Sequence, residues 1–253
     1  MTASEAAPVT RIAMWSGPRN ISTAMMRAFG NRPDTVAVDE PFYAAYLVAT
    51  GLDHPMREAV IAAGETDAGI VGAQMLAALP ASKSVFYQKH MTHHMLRGFP
   101  RGWIDAVANA FLIRAPEPVL ASYVQKREAV TLEDIGFPQQ AEIFDRVAQK
   151  LGRAPPVIEG RDVLKNPRAG LTALCDALGI GFDEAMLAWE PGPRPEDGVW
   201  APHWYGAVWA STGFERPRPE AMFDDLPDRL KPIAERARPL YERLARHRIA
   251  VSG

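Results

Sequence analysis

Short apolar runs alternate with longer stretches of helical periodicity along most of the chain. Strand length and bulk mark Arg11–Trp15 (RIAMW), Thr35–Val38 (TVAV), Ser84–Gln88 (SVFYQ), Ala110–Ile113 (AFLI) and Pro156–Glu159 (PVIE). Between these runs the apolar positions recur at helical spacing. They predict helices over Ser22–Phe29, Trp103–Asn109, Pro116–Arg127, Gln139–Leu151 and Pro167–Leu178. The Ala-rich stretch His54–Leu79 also reads as helical, with a break near Gly64 or Gly69. Pro116 suits a first helical turn, and Gly179 stands where a C-terminal cap belongs.

Strands and helices in this order predict an α/β protein with three layers: a central parallel sheet of about five strands and helices on both faces. Ligands of such sheets bind beyond the carboxyl ends of the strands, and every candidate motif below falls just after a proposed strand. From Trp189 to Pro219 the pattern changes. Four of the six tryptophans (Trp189, Trp200, Trp204, Trp209) stand here among many Pro and Gly residues. That is too aromatic for a disordered linker and predicts an ordered loop or lid over 189–219. A helical stretch of roughly Leu226–His247 follows, with Pro232 and Pro239 placed to kink or split it. No internal repeat interrupts this order, and the expectation is a single domain over 1–253.

Composition narrows the picture further. The 253 residues are 47% hydrophobic, enough for a sizeable core without a metal or disulfide staple. A formal net charge of −2 gives no reason to expect nucleic acid or an anionic membrane as partner. The lone Cys175 cannot form an internal disulfide, which points to a reducing compartment. It lies in the helical pattern Gly170–Leu178 and reads as a buried structural thiol. Met1–Pro8 lacks the basic and apolar regions of a signal peptide, and no apolar run approaches the ~20 residues of a spanning helix. A soluble, cytoplasmic protein is expected; its oligomeric state has no signature in the sequence.

The candidate chemistry begins after the first strand. Ser16-Gly17-Pro18-Arg19-Asn20-Ile21-Ser22-Thr23 leads into a helix N-terminus, where unpaired amides and the positive dipole end favour an anion. Ser22 and Thr23 add hydroxyls, and Arg19 adds a fork of donors for phosphate or sulfate oxygens. A plain strand–helix turn with Ser22 as N-cap is the alternative. A Walker A loop is excluded, because no lysine precedes Ser22.

This loop resembles the 5′-phosphosulfate loop of the sulfotransferases, in the branch with Pro-Arg-Ser-Gly-Ser/Thr-Thr. Arg19, Ser22 and Thr23 match. Asn20 and Ile21 depart, and Ile21 stands where the family has glycine, although a β-branched residue resists positive φ. The resemblance extends to Arg114 at the end of the fourth strand and Ser122 eight residues on, the pair with which the family holds the 3′-phosphate of 3′-phosphoadenosine 5′-phosphosulfate. The usual aspartate after the arginine is Ala115 here. A third stretch, Val157-Ile158-Glu159-Gly160-Arg161-Asp162 through Asn166-Pro167, is similar to the family's YEDL…NP segment. A P-loop-like fold, a sulfotransferase activity and that phosphosulfate as co-substrate are what the resemblance implies. It also implies nucleotide contacts by Arg19, Asn20, Ile21, Ser22, Thr23, Arg114 and Ser122, with Ser211 and Thr212 in a closing loop.

Sulfuryl transfer needs a base for the acceptor's proton and cations for the charge on the bridging oxygens. Glu40, in Val38-Asp39-Glu40-Pro41, resembles the glutamate that tyrosylprotein-type and related enzymes keep after their second strand, with the adjacent Asp39 as second choice. His90, in Gln88-Lys89-His90, is similar to the Lys-x-His element of small-molecule sulfotransferases and is the other base candidate. Lys89 is expected to neutralise charge on the transferred group, and Arg19 to hold it. His90 and His94 are four apart, as zinc ligands on a helix would be, but no H-E-x-x-H and no distant third ligand accompany them. No metal is expected. One or two of His90, His93 and His94 are assigned instead to the acceptor pocket, with the loops Tyr43–Leu52, His90–Gly98 and Trp200–Phe214 around a small acceptor. A P-loop kinase, with Asp39 as its magnesium-holding carboxylate, and a non-catalytic nucleotide-binding protein are the competing functions.

Overall fold

A computed structural model describes residues 9–125 and 129–251. Its sheet holds β1 (Thr10–Ser16), β2 (Thr35–Asp39), β3 (Val85–Met91), β4 (Ala108–Ile113) and β5 (Val157–Glu159). Every pairing is parallel, in the order β2-β3-β1-β4-β5. Between the strands run α1 (Ser22–Gly30), α2 (Tyr43–Thr50), α3 (Arg57–Ala63), α4 (Ala68–Gln74), α5 (Pro116–Tyr123) and α6 (Phe137–Leu151). After β5 come α7 (Gly160–Lys165), α8 (Pro167–Leu178), the short α9 (Ala201–Trp204) and α10 (Gly206–Trp209), and α11 (Lys231–Ala245). Among the described residues no helix is long and apolar enough to cross a membrane.

Side chains of β1 alternate between two buried layers. Ala13 and Trp15 enter the layer with Phe111, Phe144 and Leu244, while Ile12 and Met14 enter the layer with Met25, Phe29, Leu174 and Cys175. Burial on both faces explains why β1 and β4 read as continuous apolar runs rather than alternating ones. Each fully buried Ile, Leu, Met or Phe among them contributes about 1.5–3 kcal/mol of transfer free energy. The chain leaves β1 toward β2 on one side and later crosses to β4 on the other. The loop after β1 therefore opens into the crevice where the connections part, the place where open parallel sheets bind ligands.

Several boundaries move. The Ala-rich stretch divides into α3 and α4, with Asp67 capping α4 by accepting from the amides of Gly69 and Ile70 at 2.7 and 3.1 Å. Trp103–Asn109 is not an α-helix: a 3₁₀ turn spans Gly102–Ala106, and pairing with β1 claims the chain from Ala108. Asn109 secures that turn, donating to Ile104 O and Val107 O at 2.9 Å and accepting from Trp15 Nε1 at 2.8 Å. Tyr43–Thr50, read as part of a loop, is the helix α2. α5 ends at Tyr123; the remaining prediction through Arg127 partly falls outside the described residues. Pro232 sits in the first turn of α11, where no intrahelical bond is lost, and Pro239 lies inside the helix.

The aromatic segment is ordered and docked on α1. Arg27, 1% exposed, donates to Asp197 Oδ2 at 2.7 Å, and Asn31 donates to Ala185 O and Ala188 O at 2.6 and 2.8 Å. Trp209 Nε1 reaches the same Asp197 oxygen at 2.9 Å. Buried polar anchors thereby carry α9 and α10 over the carboxyl end of β3.

Candidate active site

The loop after β1 is held from behind. Asn20 Oδ1 accepts from the Ile21 amide at 2.8 Å, and Asn20 Nδ2 donates to Leu112 O, at the end of β4, at 3.3 Å. Gly160 leaves room for this amide group, since a Cβ there would lie 2.5 Å from Asn20 Oδ1. Ile21 takes φ −84°, and Arg19 occupies the left-handed region instead, at φ 59°. The missing glycine is thus accommodated by moving the positive φ two residues upstream, at a cost of roughly 1–3 kcal/mol. No side chain caps the first turn of α1, so its amides remain directed at the crevice.

Arg19, Arg114 and Ser122 converge beside that turn. Arg19 Nε donates to Ser122 Oγ at 2.8 Å, and Arg114 Nη1 donates to Arg19 O at 2.6 Å. Burial, and after it the charge of Arg114, lowers the pKa of Arg19. Two guanidinium groups crowded at an uncapped helix start make a strongly electropositive cradle.

The facing wall is a buried ionic cluster. Lys89 Nζ donates to Asp39 Oδ1 at 2.7 Å, Glu40 Oε1 at 2.6 Å and Tyr205 Oη at 2.6 Å, which occupies all three ammonium protons. Asp39 spends its other oxygen on the Tyr205 hydroxyl, at 2.6 Å, and the Gly198 amide, at 3.3 Å. Glu40 differs from its neighbour. Its Oε2 has His94 Nδ1 at 3.9 Å, beyond hydrogen-bond reach, and the residue lines the cavity. The Glu40 backbone takes a positive φ of 41°. Burial, reinforced by Asp39 and opposed by Lys89, raises the pKa of Glu40. Burial alone would lower that of Lys89, but Asp39 and Glu40 reverse the effect and raise it well above the ordinary value.

Cradle and cluster line one cavity of about 330 Å³, closed further by Tyr43, His54, His93, His94 and Trp204. A second cavity of about 310 Å³ shares Ile21, Ala24 and Arg114 with the first and runs on past Arg161, Leu164 and Phe214.

A family model for the sulfotransferase domain matches residues 10–244. The chain belongs to the sulfotransferase family. The sulfotransferase domain of an olefin synthase from Synechococcus PCC 7002 has the same fold, at a TM-score of 0.51 and 18% identity, over 93% of this chain and 97% of that one. Branched-chain-amino-acid aminotransferase-like proteins 1 and 2 of Arabidopsis thaliana are 37% and 36% identical over 92% and 81% of the chain. The chain spans only 41% and 36% of the length of those curated relatives.

Most residues singled out from the sequence meet in the first cavity: Arg19, Asn20, Ile21, Ser22, Thr23, Glu40, Lys89, Arg114 and Ser122 all line it. His90 does not. Neighbours on a strand face opposite sides, so Lys89 points to the cavity and His90 into the core. There it stacks on Trp15 at 4.6 Å, lies 5.0 Å from Trp103 and meets Gln88 Oε1 at 3.2 Å. Burial pushes its pKa down to about 3. His93 and His94 line the cavity instead, beyond the end of β3, and the extended backbone through Met91 rules out the helical spacing of a zinc pair. Among the described residues no group of three or more His, Cys, Asp or Glu is arranged to hold a metal ion. The Asn20 side chain faces away from the cradle and positions it. Ser211 lines the second cavity, but its hydroxyl already donates to Val208 O at 2.8 Å and accepts from Trp189 Nε1 at 3.2 Å. Thr212 lines neither cavity.

The sequence reading missed Tyr205. Tyr205 stands in a segment recognised only as aromatic, and its hydroxyl enters the Lys89 cluster through the docking of α9. No local pattern marks it.

Proposed function

We propose that this sulfotransferase moves a sulfuryl group from 3′-phosphoadenosine 5′-phosphosulfate to a hydroxyl or amine of a small acceptor. The observation that carries the reading is the pairing, across one cavity, of a cationic cradle with a carboxylate whose second oxygen is unengaged. The uncapped amides of α1, with Ser22, Thr23 and Arg19, suit the 5′-phosphosulfate. Arg114 and Ser122 suit the 3′-phosphate, and the second cavity suits the adenosine.

In this reading Glu40 Oε2 accepts the proton of the acceptor. The acceptor's oxygen or nitrogen forms its bond to sulfur as the bond from sulfur to the 5′-phosphate oxygen breaks, and the 3′,5′-bisphosphate leaves with that electron pair. Lys89 and Arg19 offset the charge that builds on the bridging and leaving oxygens. Asp39, with both oxygens committed, orients Lys89 and Tyr205. That commitment also argues against a kinase with Asp39 on magnesium. Tyr43, Trp204 and the histidines give the acceptor a compact, largely aromatic chamber. The acceptor is a small molecule rather than nucleic acid or a membrane, and the setting is the cytoplasm.

Calorimetry with 3′-phosphoadenosine 5′-phosphate tests the donor site, with 5′-AMP as control. Wild-type protein is expected to bind the bisphosphate at micromolar strength and to prefer it strongly over AMP. Arg114→Ala is expected to lose about 2–3 kcal/mol for the bisphosphate, the low end for a partly desolvated charge pair. Equal binding of the two nucleotides, or none of either, refutes the donor assignment.

A further inference from the structure

Arg114 does not wait for a ligand with its guanidinium free. Its Nε and Nη2 both contact Glu220 Oε1, at 2.9 and 2.8 Å. Arg161 Nη1 donates to the other oxygen, Oε2, at 2.8 Å. One carboxylate thus bridges two guanidinium groups at the rim of the second cavity, with side-chain exposures of 26% for Arg114, 41% for Arg161 and 19% for Glu220. This is the coordination a phosphate receives from paired arginines, with the Glu220 oxygens standing where two phosphate oxygens would sit.

The segment bearing Glu220 is suited to moving. Arg216-Pro217-Arg218-Pro219-Glu220 belongs to no helix or strand. Each proline holds the residue before it extended and offers no amide to the sheet, so the segment lies on the surface as a strap. Arg161 opens α7 directly after β5, on an element that is fixed to the sheet. One partner of the contact is anchored to the sheet, therefore, and the other is held by no helix or strand.

We infer that Glu220 is a built-in occupant of the 3′-phosphate subsite, displaced when donor binds, and that Arg161 joins Arg114 as a second guanidinium on that phosphate. The inference rests on the donor reading above. Its consequence is specificity and release. A nucleotide without a 3′-phosphate cannot compete with Glu220 and gains nothing from either arginine. A nucleotide with one exchanges a single negative charge for a dianion. The bisphosphate product keeps both of its phosphates, so Glu220 also competes with product and favours its departure.

Titration of 3′-phosphoadenosine 5′-phosphate and 5′-AMP into wild type, Glu220→Gln and Glu220→Gln/Arg161→Gln tests this. Glu220→Gln is expected to tighten the bisphosphate about tenfold and to leave AMP within about twofold, and stopped-flow should show the gain in a slower off-rate. Adding Arg161→Gln is expected to return the bisphosphate affinity to the wild-type level or below, again without moving AMP. Bisphosphate that binds wild type and Glu220→Gln alike, or binds Glu220→Gln more weakly, overturns the inference and leaves the donor reading standing. AMP tightened as much as the bisphosphate overturns it too, because the effect is then not at the 3′-phosphate. Bisphosphate that binds none of the proteins overturns both.

Discussion

Asp39 and Glu40 are adjacent carboxylates on one buried lysine, and their removal should have opposite consequences. Asp39 accepts charge-assisted bonds from Lys89 and from Tyr205, and its side chain is 1% exposed. In Asp39→Asn both contacts weaken, and Lys89, itself 1% exposed, keeps one carboxylate of two. Breaking a buried pair costs about 3–5 kcal/mol; with Glu40 still in place the low end applies, about 3 kcal/mol. At about 2–4 °C per kcal/mol for a chain of this size, Tm should fall by roughly 6–12 °C. Glu40 is the reverse case. Burial raises its pKa, so its charged form is held at a cost. Glu40→Gln keeps the shape and leaves Lys89 paired one-to-one with Asp39, and stability should change by no more than about 1 kcal/mol. The same substitution removes the proton acceptor, and sulfuryl transfer should fall by about 10²–10⁴. Urea melts give the stabilities. Transfer is followed with ³⁵S-labelled donor against a panel of phenols and alcohols, and bisphosphate binding confirms that the cradle is intact. Equal destabilisation by the two variants, or a folded Glu40→Gln that turns over like wild type, refutes the division of labour.

Gly160→Ala, at the wall of the second cavity, places a methyl group against Asn20 Oδ1 and should disturb the loop through that side chain. A loss of about 1–2 kcal/mol, or 5–30-fold in bisphosphate affinity, is expected by calorimetry. His90→Phe should leave bisphosphate binding and turnover within about threefold while costing up to about 3 kcal/mol of stability, since the ring lies in the core; a hundredfold loss of turnover would return His90 to the catalytic list. Glu159, buried beside Asp162 and Glu220 and held by Tyr241 at 2.7 Å, has its pKa pushed up to about 7 by burial first and by those charges next. A carboxyl with a raised folded-state pKa binds more protons folded than unfolded, so stability should fall as pH rises from about 4.5 to about 7, by at most about 3 kcal/mol. Glu159→Gln should flatten that decline in urea melts at about pH 5 and about pH 8; an unchanged slope would show that Glu159 does not titrate there.

Much of this protein is readable along the chain because local chemistry is enough to write it. Apolar runs in β1 and β4 announce strands covered on both faces, and the residues that follow each strand fall at the ligand-binding edge of any parallel sheet. Hence Arg19 and Lys89 could be nominated from position and type, and the resemblance to the sulfotransferases added Glu40, Arg114 and Ser122. What the sequence left open was decided by relations between distant segments. Strand alternation sends Lys89 to the cavity and His90 to the core, yet which face carries the cavity depends on the order of the sheet. Asp39 and Glu40 are equivalent on paper. They are separated by the docking of Tyr205 and Gly198, more than 150 residues away, which donate to Asp39 at 2.6 and 3.3 Å and leave Glu40 only a 3.4 Å contact with the Tyr205 hydroxyl. Ile21 looked incompatible with the loop until Arg19 was found to take the positive φ. Glu220 carries no local mark, and it meets Arg114 and Arg161 across 106 and 59 residues. Hydrophobic periodicity reports what each element must bury, and so it specifies the scaffold. Hydrogen bonds and ion pairs between elements are short-ranged and directional, so they exist only once the scaffold has brought their atoms within about 3 Å.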